Sequence, residues 1–235
     1  MKQHTDLAHL PCRQFKDGAW RDFEDEAAPE IPVTLHVEGM GTKQLWAFPD
    51  GLGELALGHA LLDLRPDASL IPSMEELGPR EFRVRFVAGA LPAPSPWPGP
   101  LGPEEILRGA ALFMDMAGRW DATGCFHRAA VYDPASKGFI HHVEDIGRHN
   151  CLDRVAGWAL SRGLPLGGKV LFVTARATAT LAGKAARSGY FAMISRSAVT
   201  TAGVEVAREA GMTLAGFSRE NRFSVFTDQH GRIAR

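Results

Sequence analysis

Cys125 stands two residues before His127 in the run Thr123-Gly124-Cys125-Phe126-His127. A thiol that close to an imidazole can act as a nucleophile of lowered pKa or as a metal ligand. It can equally be a buried thiol in a tight turn, and spacing alone favours that plainer reading. A denser polar cluster follows: His141-His142-Val143-Glu144-Asp145-Ile146-Gly147-Arg148-His149-Asn150. The pattern predicts a strand running into a helix. Helix N-termini carry free N–H groups that suit an anion, and open α/β sheets bind ligands at such strand ends. Arg148 and His149 add donors, and Asn150 can hydrogen-bond a base or a carbonyl. The alternative is a turn in which Asp145 merely caps the helix.

Two further loops share this chemistry. Thr174-Ala175-Arg176-Ala177-Thr178 has a strand end, small residues that let a ligand approach the backbone, and one arginine. Phe217-Ser218-Arg219-Glu220-Asn221-Arg222 adds two more arginines at another strand end. Arginine matches phosphate oxygens in a bidentate fashion, so the three loops together point to a phosphorylated or anionic ligand. Each loop alone is weak evidence, because surface arginines are common. A zinc reading also has to be weighed. His142-Val143-Glu144 satisfies the first half of the zinc deaminase signature, but the second half needs a close cysteine pair. Cys125, His127, His142, His149 and Cys151 fit no standard zinc spacing, and no metal is expected.

Regular elements must position these loops. Residues 1–28 are polar and without period and read as an arm. Residues 32–38 and 43–48 read as a hairpin around Gly39-Met40-Gly41, followed by a helix with Leu55, His59 and Leu62 on one face. Residues 82–86 alternate as a half-buried strand, closing a small β-rich unit over 29–90. Six prolines crowd residues 91–103 and mark a linker or an ordered surface loop. A helix should start beyond them, with Ile106, Ala110, Phe113, Met114 and Ala117 on one face. From residue 127 strands and helices alternate: strands at 127–132, 139–143, 169–173, 191–195, 213–217 and 223–226, helices at 147–160, 178–187 and 200–210. That alternation predicts an α/β domain over 104–235 with a parallel or mixed sheet. The short continuous apolar run at 169–173 is the mark of a sheet covered on both faces.

Composition narrows the function classes. With 26 basic and 27 acidic residues and no basic block, the chain has no footprint for non-specific nucleic-acid binding. No apolar run reaches membrane-spanning length, and the polar start lacks the apolar segment of a signal peptide, so a cytoplasmic protein is expected. Three cysteines, Cys12, Cys125 and Cys151, make no disulfide framework. Cys12, in the arm, is read as a small apolar filler.

The chain resembles the FdhD family of formate dehydrogenase accessory sulfurtransferases. The resemblance rests on Thr123-Gly124-Cys125-Phe126-His127-Arg128-Ala129-Ala130, on Glu144-Asp145-Ile146-Gly147-Arg148-His149-Asn150-Cys151-Leu152-Asp153-Arg154, on the Arg176 turn, and on Ala215-Gly216-Phe217-Ser218-Arg219. The second run is the long and specific one. The N-terminal part matches more loosely, through residues 30–39 and 54–59. The resemblance implies a cytidine-deaminase-like C-terminal domain without its zinc. It implies acceptance of sulfur from a cysteine desulfurase and delivery of molybdenum bis-molybdopterin guanine dinucleotide to formate dehydrogenase or a related molybdoenzyme apoprotein, with a homodimer among the arrangements it allows. By position, residues 217–222 fall on the family's cofactor loop. One departure is large: the family's C-G-x-C-G-like carrier segment corresponds here to residues 89–103, which hold no cysteine. Two functions therefore stay open. Cys125 replaces the usual sulfur carrier, or the chain is a non-catalytic cofactor-binding chaperone.

Overall fold

The computed structural model describes residues 7–234. The first six residues of the expected arm lie outside them. The remainder of that arm is regular. β1 (Ala8–Lys16) and β2 (Ala19–Ala27) pair antiparallel as a two-stranded sheet of their own. The two-residue turn is Asp17-Gly18, with φ of 53° and 80°. Positive φ at both positions is what a hairpin of matching twist requires, and Asp-Gly supplies it. That dipeptide was the signal for a hairpin; the absence of an apolar alternation hid it.

β3 (Ile31–Val37), β4 (Gly41–Ala47), β5 (Leu70–Gly78) and β6 (Glu81–Ala88) form a second sheet in the order β4-β3-β6-β5. β5 was not anticipated. Its sequence carries a proline and an acidic pair in place of a clean alternation. α1 (Leu52–His59) continues into a π-helical turn over Ala60–Leu64 and covers the inner face, where Leu55, Ala56 and Ala60 meet Val33, Leu35, Val37, Phe82 and Val84.

The third sheet has six strands: β7 (His127–Asp133), β8 (Gly138–Asp145), β9 (Val170–Val173), β10 (Ala192–Ser195), β11 (Thr213–Arg219) and β12 (Arg222–Thr227), in the order β12-β11-β10-β9-β7-β8. β9, β10 and β11 run parallel, while β7 is antiparallel to both β8 and β9. The sheet is therefore mixed, and β8 runs in the sense of β9. α4 (Arg148–Ser161), α5 (Ala179–Arg187) and α6 (Thr201–Glu209) cover one face; α2 (Pro103–Asp115) and the chain around Trp97, Leu101 and Ile233 cover the other. Every residue of β9 and β10 is buried, as a doubly covered sheet demands. A short helix, α3 (Trp120–Thr123), leads into β7.

The two larger units are joined closely. α1 crosses α4 at Gly58 and Gly157, where an added Cβ would lie 1.7 Å from the Asp153 carbonyl oxygen and 1.9 Å from that of Glu54. No other residue permits this approach. The proline-rich segment is an ordered strap laid on the α/β unit. Ser95 N–H donates to the Gly167 carbonyl (2.9 Å), and Leu101 bridges to Ile233. The strap roofs an apolar cavity of about 300 Å³, where β9 and β10 begin, lined by Leu91, Pro94, Ala156 and Leu166 among others.

Candidate functional site

The opposite edge of the large sheet gathers the chemistry. β8, β9, β10 and β11 all end there and β7 begins there, with His127 opposite Asp145 and Ala129 opposite Val173. Five loops meet along this edge: residues 123–127, 145–150, 174–178, 196–200 and 217–222. Parallel strands put their carboxyl ends side by side, so loops far apart in sequence become neighbours.

Beneath the loops lies a layer of buried ion pairs. Asp145 is fully buried and pairs with Arg154 (Oδ2 to Nη2, 2.6 Å). The same guanidinium donates to the carbonyls of Phe48 (2.7 Å) and Asp50. Asp145 Oδ1 accepts from Gly147 N–H (2.8 Å) and from Asn150 Nδ2 (2.9 Å), which also donates to the Trp46 carbonyl (2.8 Å). Glu144 pairs with buried Arg128 (2.7 Å) and accepts from the Arg119 and Trp120 backbone N–H groups. Asp153 takes Lys184 (2.5 Å) and His59 (3.2 Å). Five members of the polar run 144–154 are thus consumed by structure. Asn150 fastens the N-terminal unit to this edge, with its amide engaged on Trp46 and Asp145. Asp145 is no ordinary cap either: the N-cap of α4 is Gly147, with no side-chain cap and no acidic residue in the first turn.

Arg148 and His149 are the members left over. Arg148 Nε is buried without a protein partner. His127 is half-buried; burial, then the charges of Arg148 and Arg176, push its pKa down, which keeps the ring neutral around pH 7. His149 is likewise lowered, by burial and then by Arg148 and Lys184. Its Nε2 meets Thr180 Oγ1 (3.1 Å), and it lines a cleft of about 380 Å³ with His59, Asp153, Lys184 and Arg187. Arg176 is exposed on its loop.

The sequence reading missed a fifth loop: Ser195-Arg196-Ser197-Ala198-Val199-Thr200. It repeats the Arg176 loop. Each follows a buried four-residue strand, carries one arginine among small residues, and ends on a threonine whose Oγ1 caps the next helix, Thr178 to Leu181 N–H and Thr200 to Gly203 N–H. Ala177 and Val199 bridge the two. That shared layout was the available signal. Arg196 lies over the Trp120 ring (5.5 Å), and its carbonyl accepts from Arg219 Nε (3.0 Å). Phe217 N–H donates to the Ser197 carbonyl (2.9 Å), which ties the last loop to this one.

The last loop is strained. Phe217 and Glu220 have φ of 54° and 53°, a region that costs a side chain with a Cβ about 1–2 kcal/mol. Between them Ser218 is buried, and its hydroxyl has no protein partner. Arg219, Glu220, Asn221 and Arg222 are exposed.

The cysteines divide sharply. Cys125 is exposed at the rim, just after Gly124 (φ 65°) and just before buried Phe126, its N–H held by Thr123 Oγ1 (3.2 Å). Cys151 is buried; its thiol donates to the His127 carbonyl (3.4 Å), and burial drives its pKa well up, so it is inert. The zinc set considered from sequence does not assemble on these side chains. Cys151 is enclosed, Glu144 is paired and His142 is exposed. Among the described residues, one group of three could reach a common ion, His59, Asp63 and Asp153, and Lys184 Nζ already sits between its carboxylates at 2.7 and 2.5 Å.

Comparison with known proteins fits this architecture. The model of the FdhD/NarQ family matches residues 81–234. A "Sulfur carrier protein FdhD" from Chromobacterium violaceum is 32% identical, over 94% of this chain and 95% of its own length. The chain belongs to the FdhD/NarQ family. A second family protein, "Protein FdhD" of Methanocaldococcus jannaschii, is 28% identical over 97% of this chain and 98% of its own. The fold is shared with the crystal structure of a candidate formate dehydrogenase accessory protein from Desulfotalea psychrophila, with a TM-score of 0.80 at 21% identity, covering 97% of this chain and 99% of that one.

Proposed function

We propose that this chain is an FdhD-type accessory protein that carries sulfur and binds the molybdenum bis-molybdopterin guanine dinucleotide cofactor as cargo for formate dehydrogenase or a related apoenzyme in the cytoplasm. The observation that carries the reading is the exposed Cys125 thiol on the same edge as His127 and the loops bearing Arg148, Arg176, Arg196, Arg219 and Arg222. Two buried polar atoms in these loops, Arg148 Nε and Ser218 Oγ, lack protein partners, as groups reserved for a ligand would. The cofactor's pyrophosphates suit the guanidinium groups and the uncapped start of α4. The relatives' name, sulfur carrier, supports the first half of the reading. The sheet order β8-β7-β9-β10-β11, a hairpin followed by three parallel strands, is in keeping with the cytidine-deaminase-like fold that the resemblance implies.

In the sulfur step the Cys125 thiolate attacks the outer sulfur of a cysteine desulfurase persulfide. A new S–S bond forms on Cys125 as the donor's S–S bond breaks, and the donor leaves as a thiolate. The test is incubation with a desulfurase and cysteine, followed by intact mass. One added sulfur, lost in Cys125→Ser and kept in Cys12→Ser, is expected. No sulfur on Cys125 overturns the carrier role.

The second reading, a binding chaperone without sulfur transfer, is favoured by the strap: where the family holds its cysteine pair, this chain has a cysteine-free segment pinned by Ser95 and Leu101. Calorimetric titration with GDP tests the binding half shared by both. Arg148→Ala and Arg222→Ala should each weaken affinity about tenfold, the value of one charge-assisted contact. Unchanged affinity in both places the site elsewhere.

A further inference from the structure

The far end of the large sheet, away from Cys125 and the five loops, holds a void that the fold keeps open. It measures about 300 Å³ and lies where β9 and β10 begin. Ala156, Ala159 and Leu160 of α4 line it, with Leu61 of the π-helical turn and Leu166. Residues 91–94 of the proline-rich strap form its roof. Protein interiors leave few gaps larger than a water molecule, and an empty one costs stability in proportion to its volume. The strap does not sink to close this one because it rests on a fixed seat. A Cβ on Gly168 (φ 82°) would lie 2.2 Å from the Ser95 carbonyl oxygen, so the strap sits directly on bare backbone there. Among the described residues, Leu91 to Pro94 make no backbone hydrogen bond. Packing alone holds the roof, and a ligand beneath it would add to that packing.

The lining selects the ligand. Its walls are aliphatic, and two polar groups in it are already engaged: Ser188 Oγ donates to the Lys184 carbonyl (2.9 Å), and the Gly167 carbonyl accepts from Ser95 N–H (2.9 Å). Apolar cavities of this kind stay dry and take apolar ligands. The volume is about twice the roughly 150 Å³ that takes one benzene, room for a chain of roughly ten carbons. None of the lining residues is aromatic, so the wall offers a ring nothing to stack on and suits an alkyl chain. One charged residue lines the cavity, Arg187. Its side chain is 50% exposed, which places it at the mouth. Nε donates to the Leu62 carbonyl (2.6 Å) and Nη2 to Asp63 (3.1 Å), while Nη1 makes no hydrogen bond among the described residues. A guanidinium N–H at the mouth of an aliphatic cavity matches a carboxylate at the end of an alkyl chain.

We propose that this cavity is a binding site for a medium-chain fatty acid, with the alkyl chain under the strap and the carboxylate on Arg187.

Isothermal titration of the full chain with decanoate, below its micellar concentration, tests this without sulfur donor or nucleotide. One site per chain is expected. Octanoate, two methylenes shorter, should bind roughly fifteenfold more weakly, since each buried methylene is worth about fourfold. Arg187→Gln should weaken decanoate at least tenfold and leave decanol unchanged, a split that a merely structural role for Arg187 would not give. Ala159→Phe fills the void and should abolish binding of acid and alcohol alike. Leu164 lines the cavity at 39% exposure, where a substitution does not threaten folding. Leu164→Glu should cost decanoate at least tenfold by setting a second carboxylate at the mouth. A parent chain that does not bind decanoate, or a Leu164→Glu chain that binds it like the parent, overturns the proposal. Decanol that weakens as much as decanoate in Arg187→Gln overturns the place of the carboxylate.

Discussion

Two layers at one end of the large sheet treat the same residue types in opposite ways. In the lower layer, Arg128 and Arg154 are buried, each fully engaged by a carboxylate and by backbone carbonyls. In the upper layer, Arg176, Arg219 and Arg222 are exposed, Arg148 Nε has no protein partner, and the backbone at Phe217 and Glu220 is strained. Both layers draw on one stretch of chain, residues 144–154. The lower one is satisfied and joins the two units of the molecule through Phe48, Asp50 and Trp46. The upper one is left unsatisfied and is where binding has something to gain. A polar motif therefore holds two populations, and only the second is a site.

The comparison breaks hardest at Arg154. Arg154→Ala leaves Asp145 as an unpaired buried charge, and such losses cost about 3–5 kcal/mol. In a chain of this size the thermal midpoint should fall by roughly 6–20 °C. Arg176→Ala should move the midpoint by no more than a degree or two while weakening GDP binding. Equal loss of stability in both variants would erase the distinction between the layers.

A smaller effect comes from His59. Burial opposes its charge, but hydrogen bonds to Asp153 and Asp63 outweigh that and raise its pKa to about 9. The charged ring is thus favoured in the folded state. Its contribution is fully present below the unfolded value near 6.5 and is lost as pH rises through about 9. Urea unfolding should show stability falling between pH 6.5 and 9, with a shallower fall in His59→Gln. The same slope in both would remove His59 from the lower layer.

The smallest effect concerns strain. Glu220→Gly relieves a left-handed residue and should raise unfolding free energy by about 0.5–1 kcal/mol. No gain in chemical denaturation would mean that the turn is not a store of strain.

Most of the α/β unit was legible because its strands and helices are short, apolar and regularly punctuated; the expected strands and helices from 127 onward all form within a few residues of their places. The hairpin and β5 were not, since neither buries enough apolar surface to leave a period of two. Of the site, the arginines of three loops could be read directly. The Arg196 loop escaped because its small-residue layout carries information only beside its twin.

The sequence alone determined that this chain has FdhD/NarQ motifs, few cysteines and no carrier pair, because residue identity and spacing are local facts. Which charges in those motifs are free is not local. Only the tertiary structure decided that Asn150, Asp153 and Arg154 are scaffold, that Cys151 is enclosed and Cys125 open, and that five strand ends meet at one edge. A carboxylate buried opposite an arginine is held by that partner, and the partner is chosen by strand order and helix crossing.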